Sequence, residues 1–345
     1  MSSEEFTLDL LRDKVGGNWP AIYQGIETSR QKKQILSDLF TRGAKPDSVE
    51  RSVVAFGSVG RDEWTSGSDL DWTLLIDGMA DPAHLLIAQE IKVKLKNAGF
   101  KEPGQTGVFG SLAFSHDIIH RIGGEHDTNR NTTQRILLIL ESAVIGNHHE
   151  AYGRVLREVF NRYLEEETGL PDPGGKHKVP RFLLNDIVRF WRTMAVDFAS
   201  KQRERAGQGW GLRNAKLRMS RKLIFASGLL MCFSCSFVGA DVPLVHHLID
   251  RAKKNPLEKL ADALLTYEES NDTALKIFNA YDQFLAILDQ DAIRKELEDL
   301  TAENAATNET FHKVRTISND FQEGLNQLFF KNRHLGPLTM KYGVF

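Results

Sequence analysis

Two aspartates stand one residue apart in the run Ser68-Asp-Leu-Asp-Trp-Thr-Leu-Leu-Ile76. Successive side chains of an extended chain leave opposite faces, so Asp69 and Asp71 share one face while Leu70 and Trp72 take the other. Two carboxylates aimed at one point repel each other. A hard divalent cation, which prefers oxygen ligands, removes that repulsion, and the pair asks for Mg²⁺. Upstream, Gly57 and Ser58 end a short apolar run. A glycine there lets the backbone approach a ligand, and exposed N–H groups with a hydroxyl can cradle phosphate oxygens. Arg61 stands close by to neutralise phosphate charge. With a triphosphate in the turn and ions on the aspartates, an acceptor hydroxyl would attack the α-phosphorus in line and pyrophosphate would leave.

Competing motifs fail on their own terms. The glycine turn lacks the Gly-Lys-Ser/Thr of a P-loop and is not G-x-G-x-x-G. A calcium loop starting at Asp69 needs a glycine at its sixth position and a glutamate at its twelfth, where Leu74 and Ala80 stand. Cys232 and Cys235, the only cysteines, have no second pair to complete a zinc site and read as small buried residues one helical turn apart. The pairs His148-His149 and His246-His247 have no third ligand at metal spacing, and no Ser-His-Asp arrangement can be argued.

The elements that must position the aspartates follow from periodicity. Ser52 to Phe56 and Leu70 to Ile76 read as strands, Ala83 to Ala98 as a helix and Gly110 to Ser115 as a third strand, with a further helix expected near the N-terminus. From Asn131 onward the pattern turns helical: Thr132–Val144, Ala151–Glu167, Phe182–Lys201, Leu212–Phe237, Pro256–Tyr267, Asn271–Leu288 and Ala292–Phe330, with Pro171-Asp-Pro-Gly-Gly175 as a linker. The expected fold class is an α/β (α+β) N-terminal domain over residues 1–150 with a small mixed sheet. An all-helical C-terminal domain over 175–345 then encloses the cleft. The acidic segment around Leu297 to Asn308 reads as a solvated helix face or loop rather than as a binding tail.

Composition sets bounds on function. The 345 residues, 41% hydrophobic and 26% charged, are those of an ordinary folded protein. The formal charge of −2 does not announce a nucleic-acid binder, although a local basic patch is compatible with it. The N-terminal residues do not read as a secretory signal. The longest apolar stretch, Leu223 to Val238, is interrupted by serines and falls short of the roughly 20 residues a membrane span needs. A cytoplasmic protein without membrane contact is expected.

Gly57-Ser58 followed by Ser68-Asp69-Leu70-Asp71 resembles the signature of the DNA polymerase β-like nucleotidyltransferase superfamily. The fuller string Gly-Ser-x-Gly-Arg-x-Glu, then Ser-Asp-Leu-Asp, is most similar to the branch containing the PII uridylyltransferase, the glutamine synthetase adenylyltransferase and related nucleotidyltransferases. The resemblance spans about residues 50 to 145. It implies two Mg²⁺ ions, with Mn²⁺ able to substitute, and transfer of a nucleoside monophosphate from ATP or another nucleoside triphosphate. It also implies a third acidic residue from a later strand. Asp117, Glu125 and Asp127 are the candidates and Asp117 is favoured, since Asp127 or Thr128 also suits the N-cap of the following helix. The expected metal ligands and catalytic residues are then Asp69, Asp71 and Asp117. Around the phosphates stand Gly57, Ser58, Arg61, Ser68 and Asp127, with Ser68 and Glu63 also shaping the loop between the strands.

Cations of the helical half read two ways. Arg189 lies in a stripe with Asn185 and Arg192, and Lys216 and Lys222 lie in a cluster with Arg218 and Arg221. They either face the phosphates or form solvated and salt-bridged helix faces, for which Asp186 and Asp197 are ready partners. The acceptor is open: a protein hydroxyl, an RNA or tRNA end, a small molecule or a second nucleotide. The alternative to an enzyme is a non-catalytic nucleotide sensor or regulatory interaction protein.

Overall fold

The computed structural model describes residues 7–41, 46–104, 108–165, 176–204 and 208–344, with only the backbone of 201–204 and 344. Two helices open the chain, α1 (Thr7–Val15) and α2 (Pro20–Thr41). The strand-bearing unit follows: β1 (Arg51–Phe56), the short α3 (Gly57–Gly60), β2 (Asp71–Ile76), α4 (Ala83–Asn97), β3 (Ser111–Phe114), α5 (Ser115–Ile119), α6 (Asn129–Leu140) and β4 (Ala143–Ile145). Then come α7 (Glu150–Glu165), α8 (Arg181–Glu204), α9 (Trp210–Arg218), α10 (Ser220–Ser234), α11 (Leu244–Lys253), α12 (Pro256–Thr266), α13 (Asn271–Leu288), α14 (Asp291–Asp299), α15 (Glu309–Asn326) and α16 (Leu335–Leu338). The protein is therefore a small mixed sheet with helices followed by a helical C-terminal half.

The four strands lie in the order β3-β2-β1-β4. β1 runs antiparallel to both β2 and β4, and β2 runs parallel to β3. The strands are apolar on both faces because both are covered. Val53, Ala55, Leu74 and Ile76 pack with Leu36 and Phe40 of α2 and Ile91 and Leu95 of α4. Val54, Phe56 and Leu75 pack into the larger core built from α6, α7 and the C-terminal helices. The same core takes in Leu8, Leu11, Trp19 and Ile22 of the N-terminal helices, and the Trp19 indole donates to Asn279 of α13 at 2.9 Å.

The structure departs from the sequence reading at several points. The helix expected over Thr132–Val144 ends at Leu140, and Ala143–Ile145 leaves it to become the edge strand β4. The long helix expected from Leu212 breaks at Met219, whose ψ of −87° ends α9 and starts α10. The run from Ala292 divides at Leu300, where extended backbone closes α14. Leu244–Lys253, which the periodicity did not single out, forms α11. The linker read at 171–175 lies outside the described residues.

Candidate functional site

Strand direction brings the chemistry together. Because β1 is antiparallel to both neighbours, the beginnings of β2 and β4 lie at its C-terminal end. Phe56 is paired with Asp71 on one side and Ala55 with Ala143 on the other. Gly57 thus turns between Asp71, the first residue of β2, and Glu141, two residues ahead of β4. Asp71 shares its face with Phe56 and Leu75, the face that the helical half covers.

The turn has strict space requirements. Gly57 has φ +69°, and a Cβ built on it would lie 3.0 Å from Asp71 Oδ2, so conformation and close approach both call for glycine. The Ser58 hydroxyl makes no hydrogen bond among the described residues, while its carbonyl accepts from Glu63 N at 2.8 Å. Gly60 packs directly on the Glu141 backbone. Arg61 donates from Nε to Glu63 at 2.9 Å and from Nη1 to Glu141. Tyr281 of α13 donates to the other Glu63 oxygen at 2.8 Å. Glu63 and Glu141 are almost fully buried, with side chains 1% and 5% exposed. Burial opposes the charge on Arg61, but the two carboxylates outweigh it and raise its pKa. Arg61, read from sequence as a phosphate contact, is occupied by carboxylates.

Asp69 and Asp71 differ from these groups. Both are half-buried, and neither makes a hydrogen bond or ion pair among the described residues. Burial pushes the Asp71 carboxyl up to about 7, and the charges of Asp69 and Glu141 add to this. Such mutual repulsion is what a bound cation relieves. Among the described residues no three or more His, Cys, Asp or Glu side chains are arranged to hold a metal as they stand, Glu141 being engaged by Arg61.

The helical half faces these carboxylates with cations. Burial lowers the Lys216 ammonium to about 8, with Asp69 opposing the shift and Arg294, Arg61 and Arg221 adding to it. Burial also lowers the Arg221 pKa, against the pull of Asp197 and Glu141. Arg294 lies over Gly67, where a Cβ would stand 2.3 Å from its Nε. The loop before Asp69 is fastened to the same helices, Ser66 N donating to Asp289 Oδ1 at 2.9 Å and Ser66 Oγ to Asp291 Oδ1 at 2.8 Å.

Other residues read from the sequence lie elsewhere or are engaged. Asp117 sits on α5 beyond the C-terminal end of β3, half-exposed and paired with Arg121 at 2.8 Å. Because β3 is parallel to β2, with Phe114 opposite Ile76, Asp117 is at the far end of the sheet from Asp71, roughly 16 Å along the strand. Its assignment as third acid is corrected on that ground, and Glu125 is exposed on a turn. Asp127 is buried against Arg135 at 2.8 Å and also bonds Arg189 at 3.3 Å. Arg189 further donates to the Asp127 carbonyl at 2.6 Å. The pair lies at the N-terminus of α6, one helix of roughly 18 Å from Glu141, so neither reaches the carboxylates. Thr128 is the N-cap of that helix. Ser68 accepts from Thr65 N at 3.1 Å and shapes the loop. Lys222 is bound to Gln322 of α15 at 2.5 Å.

Glu141 is the residue that sequence reasoning missed. Its signal was present: Ala143-Val-Ile145 before Gly146 is a short apolar run with two β-branched residues closed by glycine, and a carboxylate stands two residues ahead of it. The apolar helix running straight into it hid that pattern.

No curated protein matches the chain. Residues 27–108 match the family model described as "Putative nucleotidyltransferase DUF294", a match that covers Gly57, Ser58, Asp69 and Asp71 and supports a nucleotidyltransferase family without singling out the PII uridylyltransferase branch.

Proposed function

We propose that the protein is a divalent-metal-dependent enzyme that moves a nucleoside monophosphate from a nucleoside triphosphate to an acceptor hydroxyl. The observation that carries this reading is the convergence of Asp71, the Gly57–Ser58 turn and Glu141 at one end of β1, with the unpartnered Asp69 beside them. Asp69 and Asp71 would hold Mg²⁺ or Mn²⁺, and Glu141 would join them by giving up Arg61. The bound ions supply charge neutralisation at the phosphates.

The chain's own residues do the rest. The backbone at Gly57 and the Ser58 hydroxyl seat phosphate oxygens, and Lys216 neutralises them from the helical side. The acceptor oxygen forms a bond to the α-phosphorus as the bond from that phosphorus to the bridging oxygen of the β-phosphate breaks, releasing pyrophosphate. The acceptor proton is released to solvent water as the new bond forms. The acceptor classes remain a protein, an RNA end, a small molecule or a second nucleotide.

The test is to incubate the protein with each α-labelled nucleoside triphosphate, Mg²⁺ and a cell extract, and to follow both label and pyrophosphate. Transfer that disappears in Asp69→Asn, with folding unchanged, is expected. Undiminished transfer in that variant would overturn the assignment. Nucleotide binding with no pyrophosphate release would favour the non-catalytic sensor instead.

A further inference from the structure

Three cations of the helical half, including the Lys216 already set against the phosphates, share a property that points to a ligand of several charges. Lys216 on α9 and Arg221 on α10 are half-buried, yet neither makes a hydrogen bond or ion pair among the described residues. Arg294 on α14 has a side chain only 12% exposed and bonds through Nε alone, to Glu298 at 3.2 Å, which leaves its terminal nitrogens free among the described residues. Desolvating a cation without a partner is costly, so three such groups side by side call for an anion of several charges. The geometry fixes where that anion would lie. Arg294 crosses Gly67, two residues before Asp69, and Lys216 faces Asp69 itself. Arg221 feels the charge of Asp197 first and that of Glu141 second. The cations therefore border the carboxylates on the side of the helical half, opposite the sheet.

We propose that Lys216, Arg221 and Arg294 form a polyphosphate clamp that grips the β- and γ-phosphates of the donor, so that the helical half selects a nucleoside triphosphate over a mono- or diphosphate. This rests on the transferase reading for its ligand and extends it to the leaving group, which the clamp would hold as pyrophosphate. Guanidinium groups suit the task because they bind phosphate oxygens in pairs. Gly67 belongs to the device: a side chain at that position would displace Arg294.

The experiment is calorimetric titration of the full chain with inorganic tripolyphosphate, pyrophosphate and orthophosphate in metal-free buffer. Arg221→Gln, Arg294→Gln, Gly67→Ala and Lys276→Gln are titrated alongside, each checked for folding by its melting curve. Lys276 pairs with Glu323 on another face and controls for net charge. Tripolyphosphate should bind at least about tenfold more tightly than orthophosphate, and each arginine variant should weaken it by about tenfold, the loss of one good charge-assisted contact. Gly67→Ala, which changes no charge, should weaken it as well, and Lys276→Gln should not. Equal affinity for tripolyphosphate and orthophosphate, or wild-type affinity in a folded Arg221→Gln/Arg294→Gln double variant, overturns the clamp. If tripolyphosphate binds as expected and no nucleoside triphosphate supports transfer, the transferase reading fails and the clamp stands. If transfer occurs and both arginine variants bind tripolyphosphate like the wild type, the reverse holds.

Discussion

Gly60 lies flat against the peptide carbonyl of Glu141: a Cβ built on the glycine would stand 1.9 Å from that oxygen. This contact gives a physical reason for the spacing Gly-Ser-x-Gly-Arg-x-Glu. The first glycine passes Asp71, the second lets α3 lie on the Glu141 backbone, and the arginine and glutamate then tie the Glu141 side chain in place. Gly60→Ala therefore forces backbone away from backbone, with no flexible side chain to yield. The expected cost is about 3 kcal/mol, the upper end for overpacking, read as a fall in the urea midpoint. A midpoint equal to that of the wild type would mean that α3 does not seat on Glu141.

Arg61 is held between two buried carboxylates, Glu63 and Glu141. In Arg61→Met the buried Glu63 and Glu141 lose their partner, a change that typically costs about 3–5 kcal/mol. The cost should depend on pH. Burial already raises the Glu63 pKa, and removal of Arg61, which lowers it, raises it further. A carboxyl with a raised folded pKa makes the native state bind more protons than the unfolded state. Stability then falls as pH rises from the unfolded value of about 4.3 through the folded one. The deficit of Arg61→Met relative to wild type should thus be smaller at pH 5 than at pH 7, by chemical denaturation at each pH. A deficit independent of pH would place the loss in packing alone.

How much of this was legible in the sequence depended on whether strand direction mattered. Asp69, Asp71 and the Gly57 turn could be read locally, since alternation and a glycine after an apolar run are properties of a few neighbouring residues. The proposed third acid, Glu141, could not. Asp117 follows a strand, as a third acid should, and would have reached Asp71 had β3 run antiparallel to β2. The observed parallel pairing carries it to the other end of the sheet. Glu141 reaches the site only because three residues of β4 pair with β1, a contact that periodicity does not record. Arg61 and Arg189 were ambiguous for another reason: a guanidinium suits a carboxylate and a phosphate equally well, and only tertiary contacts show which one it meets.

Lys259 bears on the same corner of the fold through proton binding. It stands on α12, 2% exposed, and its ammonium donates to the Leu140 carbonyl at 3.4 Å, directly before Glu141. Burial lowers its pKa to about 7; Glu258 opposes this shift and Arg251 adds to it. In the unfolded chain a lysine titrates near 10.4. Between those values the unfolded state binds more protons than the native one, so this group makes stability rise with pH, by up to about 1.4 kcal/mol per pH unit. Lys216 and Lys222, both lowered to about 8, contribute in the same direction, so the informative quantity is the difference between two proteins. Lys259→Met keeps most of the side-chain volume and removes the titrating group. From pH 7 to pH 9 the wild type should gain stability relative to this variant in urea denaturation, and parallel pH profiles would show that the native state holds Lys259 charged.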